Sequence, residues 1–238
     1  MRPGRVRHYV IAARDLEAVC DEIYEHLELE PGPQEHREDG SQVTEQYGFR
    51  THMMRIGTTM LEVVSPIRER HELQKFFVEQ GGDGGFMVVM QTYDDDALLA
   101  RAKEAGLALR FEIPDFLGQH LMQFDYETLG TRFEHYRYTP EDNWWGDPLN
   151  GPYNDPRAVD DIVGASVAVD DPGSVAGLVS SVFLGTRDGN AVEFLDRRIE
   201  FVMPVDGKRG LDALHLTARD RARAGESKRI ANVDFRLV

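Results

Sequence analysis

Apolar and polar residues alternate over residues 6–13 and then change to a helical period, the signature of a strand that feeds a helix. Asp15 is placed as the N-cap of a helix over Leu16–Leu27, in which Leu16, Val19, Ile23 and Leu27 share one face for packing on a sheet. Residues 32–40 form a polar loop with Pro and Gly. Strands over residues 46–56 and 59–64 follow, divided by a turn at Ile56-Gly57-Thr58 and stopped by Pro66. The order is β-α-β-β, with room for a further strand near Gln42–Tyr47.

The same order recurs. Residues 86–93 read as a strand, Asp95–Ala105 as a helix capped by Asp94-Asp95-Asp96, and residues 107–113 as a strand. A hairpin over 119–125 and 131–138 turns across Glu127–Gly130. A third copy starts at Gly164-Ala-Ser-Val-Ala-Val-Asp-Asp-Pro172, with a strand over 162–169, a helix over 172–184 and strands within 191–202. A fourth, from Ala213, has strands over 211–218 and 229–237 with only a short polar stretch between them. Residues 139–157, with Trp144 and Trp145, read as a long irregular linker. The expected organisation is a domain over 1–138, a linker over 139–158 and a degenerate domain over 159–238. In a β-α-β-β-β unit the helix covers one sheet face only. Two such units close the other face by curling their sheets around a shared concavity, which gives an α+β fold.

Composition narrows the function. The 238 residues are 41% hydrophobic and 29% charged, as in a soluble globular protein. No apolar run reaches membrane-spanning length, and no apolar signal core follows Met1, so the expected location is the cytoplasm. Cys20 is the single cysteine, which excludes an intramolecular disulfide, and its place in the first helix suits packing. A net charge of −15 argues against nucleic acid and anionic membranes as partners. A small-molecule substrate is the expected partner, with a homodimer left open. Gly81-Gly-Asp-Gly-Gly85 lacks the Lys-Ser/Thr of a phosphate loop and reads as a turn.

Three segments carry a family resemblance: His8-Tyr-Val-Ile-Ala-Ala-Arg-Asp-Leu16, Met60-Leu-Glu-Val-Val-Ser-Pro66 and Leu129-Gly-Thr-Arg-Phe-Glu134. On these the chain resembles the glyoxalase/bleomycin-resistance/extradiol-dioxygenase group, the vicinal oxygen chelate superfamily. The resemblance is fullest over 1–138, moderate over 160–204 and poor at the C-terminus. Leu61–Pro66 followed by Gly81–Val88 is similar to two-domain bacterial members without an assigned activity. The resemblance implies tandem βαβββ units forming two glyoxalase-like domains, with curled mixed sheets around a cavity. It also implies metal ligands on first and last strands, at His8, Glu62 and Glu134. The fourth position falls at Met87 or Val88, which cannot ligate. Imidazole plus carboxylates suits a divalent ion such as Zn, Mn, Fe or Ni.

Each candidate has a plainer alternative. His8 shares a strand face with Val10 and Ala12, small enough to leave space, but a strand histidine without a metal fits too. Glu62 sits in an otherwise apolar strand, where a carboxylate is costly unless paired, metal-bound or turned to solvent. Glu134 has Arg132, His135 and Arg137 nearby as ion-pair partners. His120, on the strand paired with that of Glu134, suits acid–base catalysis; its alternative is a helix-facing or solvent side. Gln91 is a polar residue in an apolar strand and a candidate substrate contact. Trp144 could line a cavity mouth or fill a crevice. In the second half Gly164 replaces His8, leaving Glu200, His215 and Asp234.

The leading expectation is a metal-dependent lyase or isomerase in which Glu62 and His120 are catalytic, Gln91 and Trp144 contact substrate, and the metal stabilises an enolate-like intermediate. Absence of a second ligating histidine disfavours extradiol-type dioxygenase chemistry. The alternative is a metal-free protein that binds and sequesters a small molecule.

Overall fold

The computed structural model describes residues 2–137 and 158–238 apart from 33, 35, 70, 71, 117 and 196. Trp144, Trp145 and residues 139–157 of the expected linker lie outside the described residues. In chain order the first module is β1 (Arg5–Ala12), α1 (Leu16–Leu27), β2 (Phe49–Ile56) and β3 (Thr59–Pro66). After α2 (Glu72–Gln80) comes the second: β4 (Gly84–Gln91), α3 (Asp95–Glu104), β5 (Leu109–Phe116), β6 (Gln119–Phe124), α4 (Tyr126–Leu129) and β7 (Arg132–Tyr136). The third is β8 (Val159–Ala168), α5 (Pro172–Phe183), β9 (Thr186–Asp188), β10 (Ala191–Phe194) and β11 (Arg197–Val202). The last is β12 (Gly210–Ala218), β13 (Ser227–Ile230) and β14 (Val233–Leu237). The α+β class and repeated βαβββ order are those expected. No helix among the described residues is long and apolar enough to cross a membrane.

Local chemistry explains the helix starts. Asp15, Asp94 and Asp171 each accept the backbone N–H three residues on, from Ala18, Ala97 and Ser174, all at 3.0 Å. This satisfies an orphan donor and places negative charge at a positive helix end. In the fourth module Asp220 accepts from Ala222 at 2.9 Å, but only a 3-10 turn over Arg221–Arg223 follows. Leu16, Val19, Ile23 and Leu27 are buried, as their spacing requires.

The chain forms two compact units, each gathered from separate segments. The first comprises Met1–His8, Phe86–Asn143 and Val163–Ala213; the second comprises Tyr9–Gly85, Trp144–Ile162 and Leu214–Val238. In the first unit β7 returns parallel beside β4, with β6 and β5 following antiparallel. β11 likewise returns parallel beside β8, with β10 and β9 following antiparallel. In the second unit β3 lies between β2 and β1, and β14 between β12 and β13. Gly130 ends α4 at φ 80, and a Cβ there would stand 2.4 Å from Val169 Cγ1. Gly130→Ala is therefore expected to cost about 2–4 kcal/mol in urea unfolding, through backbone strain and overpacking. A loss under about 0.5 kcal/mol would contradict that close approach.

The structure departs from the sequence reading at three places. Residues 43–47 form a 3-10 turn rather than a strand. The free edge of β2 is filled instead by glutamine side chains, so no strand is needed there. The short apolar set Leu73, Phe76 and Phe77 forms the buried face of α2, a helix the sequence reading passed over despite its i, i+3, i+4 spacing. The last strand of the chain is also a hairpin, β13 and β14, folded at Ala231 and Asn232, both at positive φ.

Candidate functional site

Strand alternation and register decide which face each polar residue joins. On β7, His135 lies opposite Met122 of β6 and pairs with Asp95 at the start of α3, so it faces that helix. Glu134 points the other way. Its neighbours on that face are Gln123 of β6, directly opposite, and Val89 of β4. The Gln123 Nε2 donates to Glu134 Oε2 at 2.5 Å, and Glu134 is 5% exposed. Gln91, fully buried, lies two positions beyond Val89 on the same face, beside Tyr136. Phe111 of β5, opposite Gln123, is 49% exposed.

The second unit repeats this arrangement. His52 of β2 lies opposite Val63 and is hydrogen-bonded to Tyr24 of α1 at 2.6 Å, so that face meets the helix. Glu62 of β3 points away from it, opposite Met53, and its Oε1 accepts from the Thr51 hydroxyl at 2.5 Å. Each of these two modules thus carries on its last strand a carboxylate turned from its helix and held by a neutral donor on the adjoining antiparallel strand. Glu200 on β11 neighbours buried Ser166 of β8. Asp234 on β14 is instead committed to Arg229 and Arg236, at 2.8 and 3.1 Å.

His8 is buried on β1 in the first unit, with Glu134, whereas Glu62 belongs to the second. Among the described residues no group of three His, Cys, Asp or Glu side chains is placed to hold a metal ion.

His120 is three positions from Gln123 and stands on the α3 side of β6, away from Glu134. There its Nε2 is 2.7 Å from Glu112 Oε1 and its Nδ1 is 3.4 Å from Asp95 Oδ2. This is the plainer, helix-facing alternative for that residue. Asp95 also takes His135 Nε2 at 2.9 Å and Arg137 at 3.8 Å. The Thr92 backbone N–H donates to His135 Nδ1 at 3.3 Å, which leaves Nε2 as the protonated nitrogen donating to Asp95. Burial pushes Asp95 upward, but the hydrogen bond and charge of His135, with Arg137 and His120, outweigh it and hold it below the ordinary carboxylate range. Burial lowers His135, only partly offset by Asp95, so its imidazole is neutral near pH 7. Sequence reading missed this cluster because its members lie far apart in the chain.

In the second unit burial lowers His52, and burial with the Cys20 charge pushes Tyr24 up to about 12. Cys20 is likewise pushed up to about 12 by burial, then by Asp21 and Glu17, so it remains an inert packed thiol.

No family model matches the sequence, and no curated protein matches it significantly. Solved structures do. A mutant 4-hydroxymandelate synthase from Streptomyces coelicolor superposes with a TM-score of 0.66 at 15% identity, covering 92% of this chain and 72% of that one. A methylmalonyl-CoA epimerase from Mycobacterium tuberculosis aligns with a TM-score of 0.45 at 18% identity, covering 56% of this chain and 86% of its own. A hypothetical protein from Bacillus halodurans gives 0.48 at 17% identity, with 57% and 94% covered. The synthase and the epimerase are vicinal oxygen chelate superfamily members. This chain shares the fold of that synthase.

Proposed function

We propose that the chain is a glyoxalase-like small-molecule enzyme, a lyase or isomerase in which a sheet-borne glutamate moves a proton on the substrate. The supporting observation is the recurrence of one arrangement in two modules: Glu134 with Gln123, and Glu62 with Thr51. A carboxylate on an apolar strand costs folding free energy, so its retention at matching places favours a chemical role. One oxygen of each accepts from a neutral donor, Gln123 for Glu134 and Thr51 for Glu62, and that bond orients the carboxylate. Such a group serves as general base toward a proton on carbon beside a carbonyl. Gln91, on the face of Glu134, is suited to hold the carbonyl oxygen through its amide.

The test is deuterium wash-in at that carbon, followed by proton NMR. The panel comprises 2-oxo acids, hemithioacetals of 2-oxo aldehydes and 2-substituted malonyl thioesters. Wild type is expected to exchange one class, and Glu134→Gln or Glu62→Gln to slow it by about 10²–10⁴-fold. Exchange of no class, or undiminished exchange in both variants, would sink the reading. A second reading, metal-free binding and sequestration, is favoured by exposed Phe111 beside the Glu134 face. It predicts ligand-induced thermal stabilisation without turnover.

A further inference from the structure

Among the described residues the first module shows no counterpart of the third strand that completes the second and third modules, yet the edge of β2 is not left bare. Thr51 and Met53 turn their backbone N–H and C=O outward from the β2–β3 pair, and two glutamine side chains meet them. The Thr51 N–H donates to Gln42 Oε1 at 2.8 Å, and Gln42 Nε2 donates to the Thr51 carbonyl at 2.7 Å. Gln34 repeats the pairing on Met53, at 2.7 Å for the Met53 N–H to Gln34 Oε1 and 2.8 Å for Gln34 Nε2 to the Met53 carbonyl. A side-chain amide carries the same donor and acceptor as a peptide, so each glutamine substitutes for one residue of an absent strand. The two clamps differ in what lies beyond them. Thr51 passes its hydroxyl to Glu62 Oε1, whereas the Met53 side chain offers no donor.

We infer that Gln42 is a positioning residue for Glu62, acting through Thr51; the inference rests on the reading of Glu62 as a proton-moving carboxylate. The two-point clamp fixes the backbone from which the Thr51 hydroxyl reaches the carboxylate. Gln42 is itself buried and anchored, its backbone N–H donating to Glu45 Oε1 at 3.0 Å. The Thr51 hydroxyl is a contact that orients the Glu62 carboxylate, and small misplacements of reacting groups cost large factors in rate. Gln34 covers the same edge at Met53, which lies opposite Glu62 but whose side chain has no donor for the carboxylate, and this makes it the internal control.

The experiment uses the full chain with 13C-labelled glutamate. The Glu62 Cδ resonance, assigned with Glu62→Gln, is followed at one fixed pH in Thr51→Val, Thr51→Ser, Gln42→Ala, Gln42→Glu and Gln34→Ala. Thr51→Val is expected to displace the resonance, Thr51→Ser to restore it, and Gln42→Ala to displace it in the same sense as Thr51→Val. Gln42→Glu, which keeps the acceptor but loses the amide donor, is expected to fall between and serves if Gln42→Ala does not fold. Gln34→Ala is expected to leave it in place. Where the exchange assay shows turnover, Gln42→Ala should lower kcat about tenfold with KM within about twofold. An unmoved Glu62 resonance in Gln42→Ala and Gln42→Glu, or an equal displacement in Gln34→Ala, would overturn the inference. A displaced resonance with full activity in Glu62→Gln would instead overturn Glu62 as the base while leaving the positioning intact.

Discussion

Phe183→Ala is expected to lower the unfolding free energy by about 3–5 kcal/mol, the range for truncating a packed aromatic core residue. Phe183, at the end of α5, is fully buried against Phe124 of β6 and Phe133 of β7. Its ring stands 5.6 Å from Phe124 at 88° and 5.7 Å from Phe133 at 35°. These pairs add to the area they bury. They join the helix of the third module to the sheet of the second. Backbone bonds at the same place, from Gly4 N–H to the Phe183 carbonyl at 2.9 Å and from Arg101 Nε to the Val182 carbonyl at 2.8 Å, leave little freedom for collapse around a cavity. The thermal midpoint should fall by about 10 °C, and the urea midpoint should fall without a change in slope. Phe183→Leu, which keeps most of the volume, should cost under about 2 kcal/mol. Equal losses for the two variants would show that the ring packing is not what holds this joint.

His135→Ala is expected to cost about 2–4 kcal/mol at pH 7.5, because it leaves the Thr92 N–H and the Asp95 carboxylate short of a buried partner. It should also change the response to acid. The folded-state pKa of His135 is depressed, so its contribution is complete above the unfolded value of about 6.5 and is lost as pH falls through the folded value. Asp95 is depressed as well, and its contribution is lost only below about pH 4, as the pH falls toward its folded value. Wild type should therefore weaken between pH 7.5 and 5, with His26 and His52 adding in the same sense, since burial lowers both. Urea titrations at pH 7.5, 6.5 and 5.5 should show a shallower decline in His135→Ala. Parallel declines in the two proteins would mean that His135 does not carry this part of the acid sensitivity.

Reading the chain alone was most successful where the cause is local. The Asp15, Asp94 and Asp171 caps act over three residues, and the buried face of α1 follows from spacing within one helix. The Ile56-Gly57-Thr58 turn lies at a positive-φ glycine between two paired strands. The family resemblance carried by the His8, Met60 and Leu129 segments agrees with the fold that the superposition shows over 92% of the chain. The α2 helix was legible too, since Leu73, Phe76 and Phe77 have helical spacing, but the segment is short.

The candidate site was legible only in part. Glu62 and Glu134 stood out as carboxylates in apolar strands, but the sequence left open whether solvent, a metal or a neighbour accompanies them. Their donors, Thr51 and Gln123, were assigned by strand register. His120 is a sharper case, because its strand pairs with that of Glu134 while its side chain takes the opposite face. Residues 43–47 could not be read correctly in isolation, because the groups that fill the β2 edge are side chains from a loop.

What the sequence by itself determined was the repeated strand–helix rhythm, the helix caps and the polar residues set among apolar ones, all properties of a few neighbouring residues. Tertiary structure alone decided which faces those residues share and which partners meet them, as with Asp95 and His135, 40 positions apart. The physical reason is the period of two along a strand: a one-residue change of register would exchange Glu134 and His135 between faces, and only pairing with other strands sets that register.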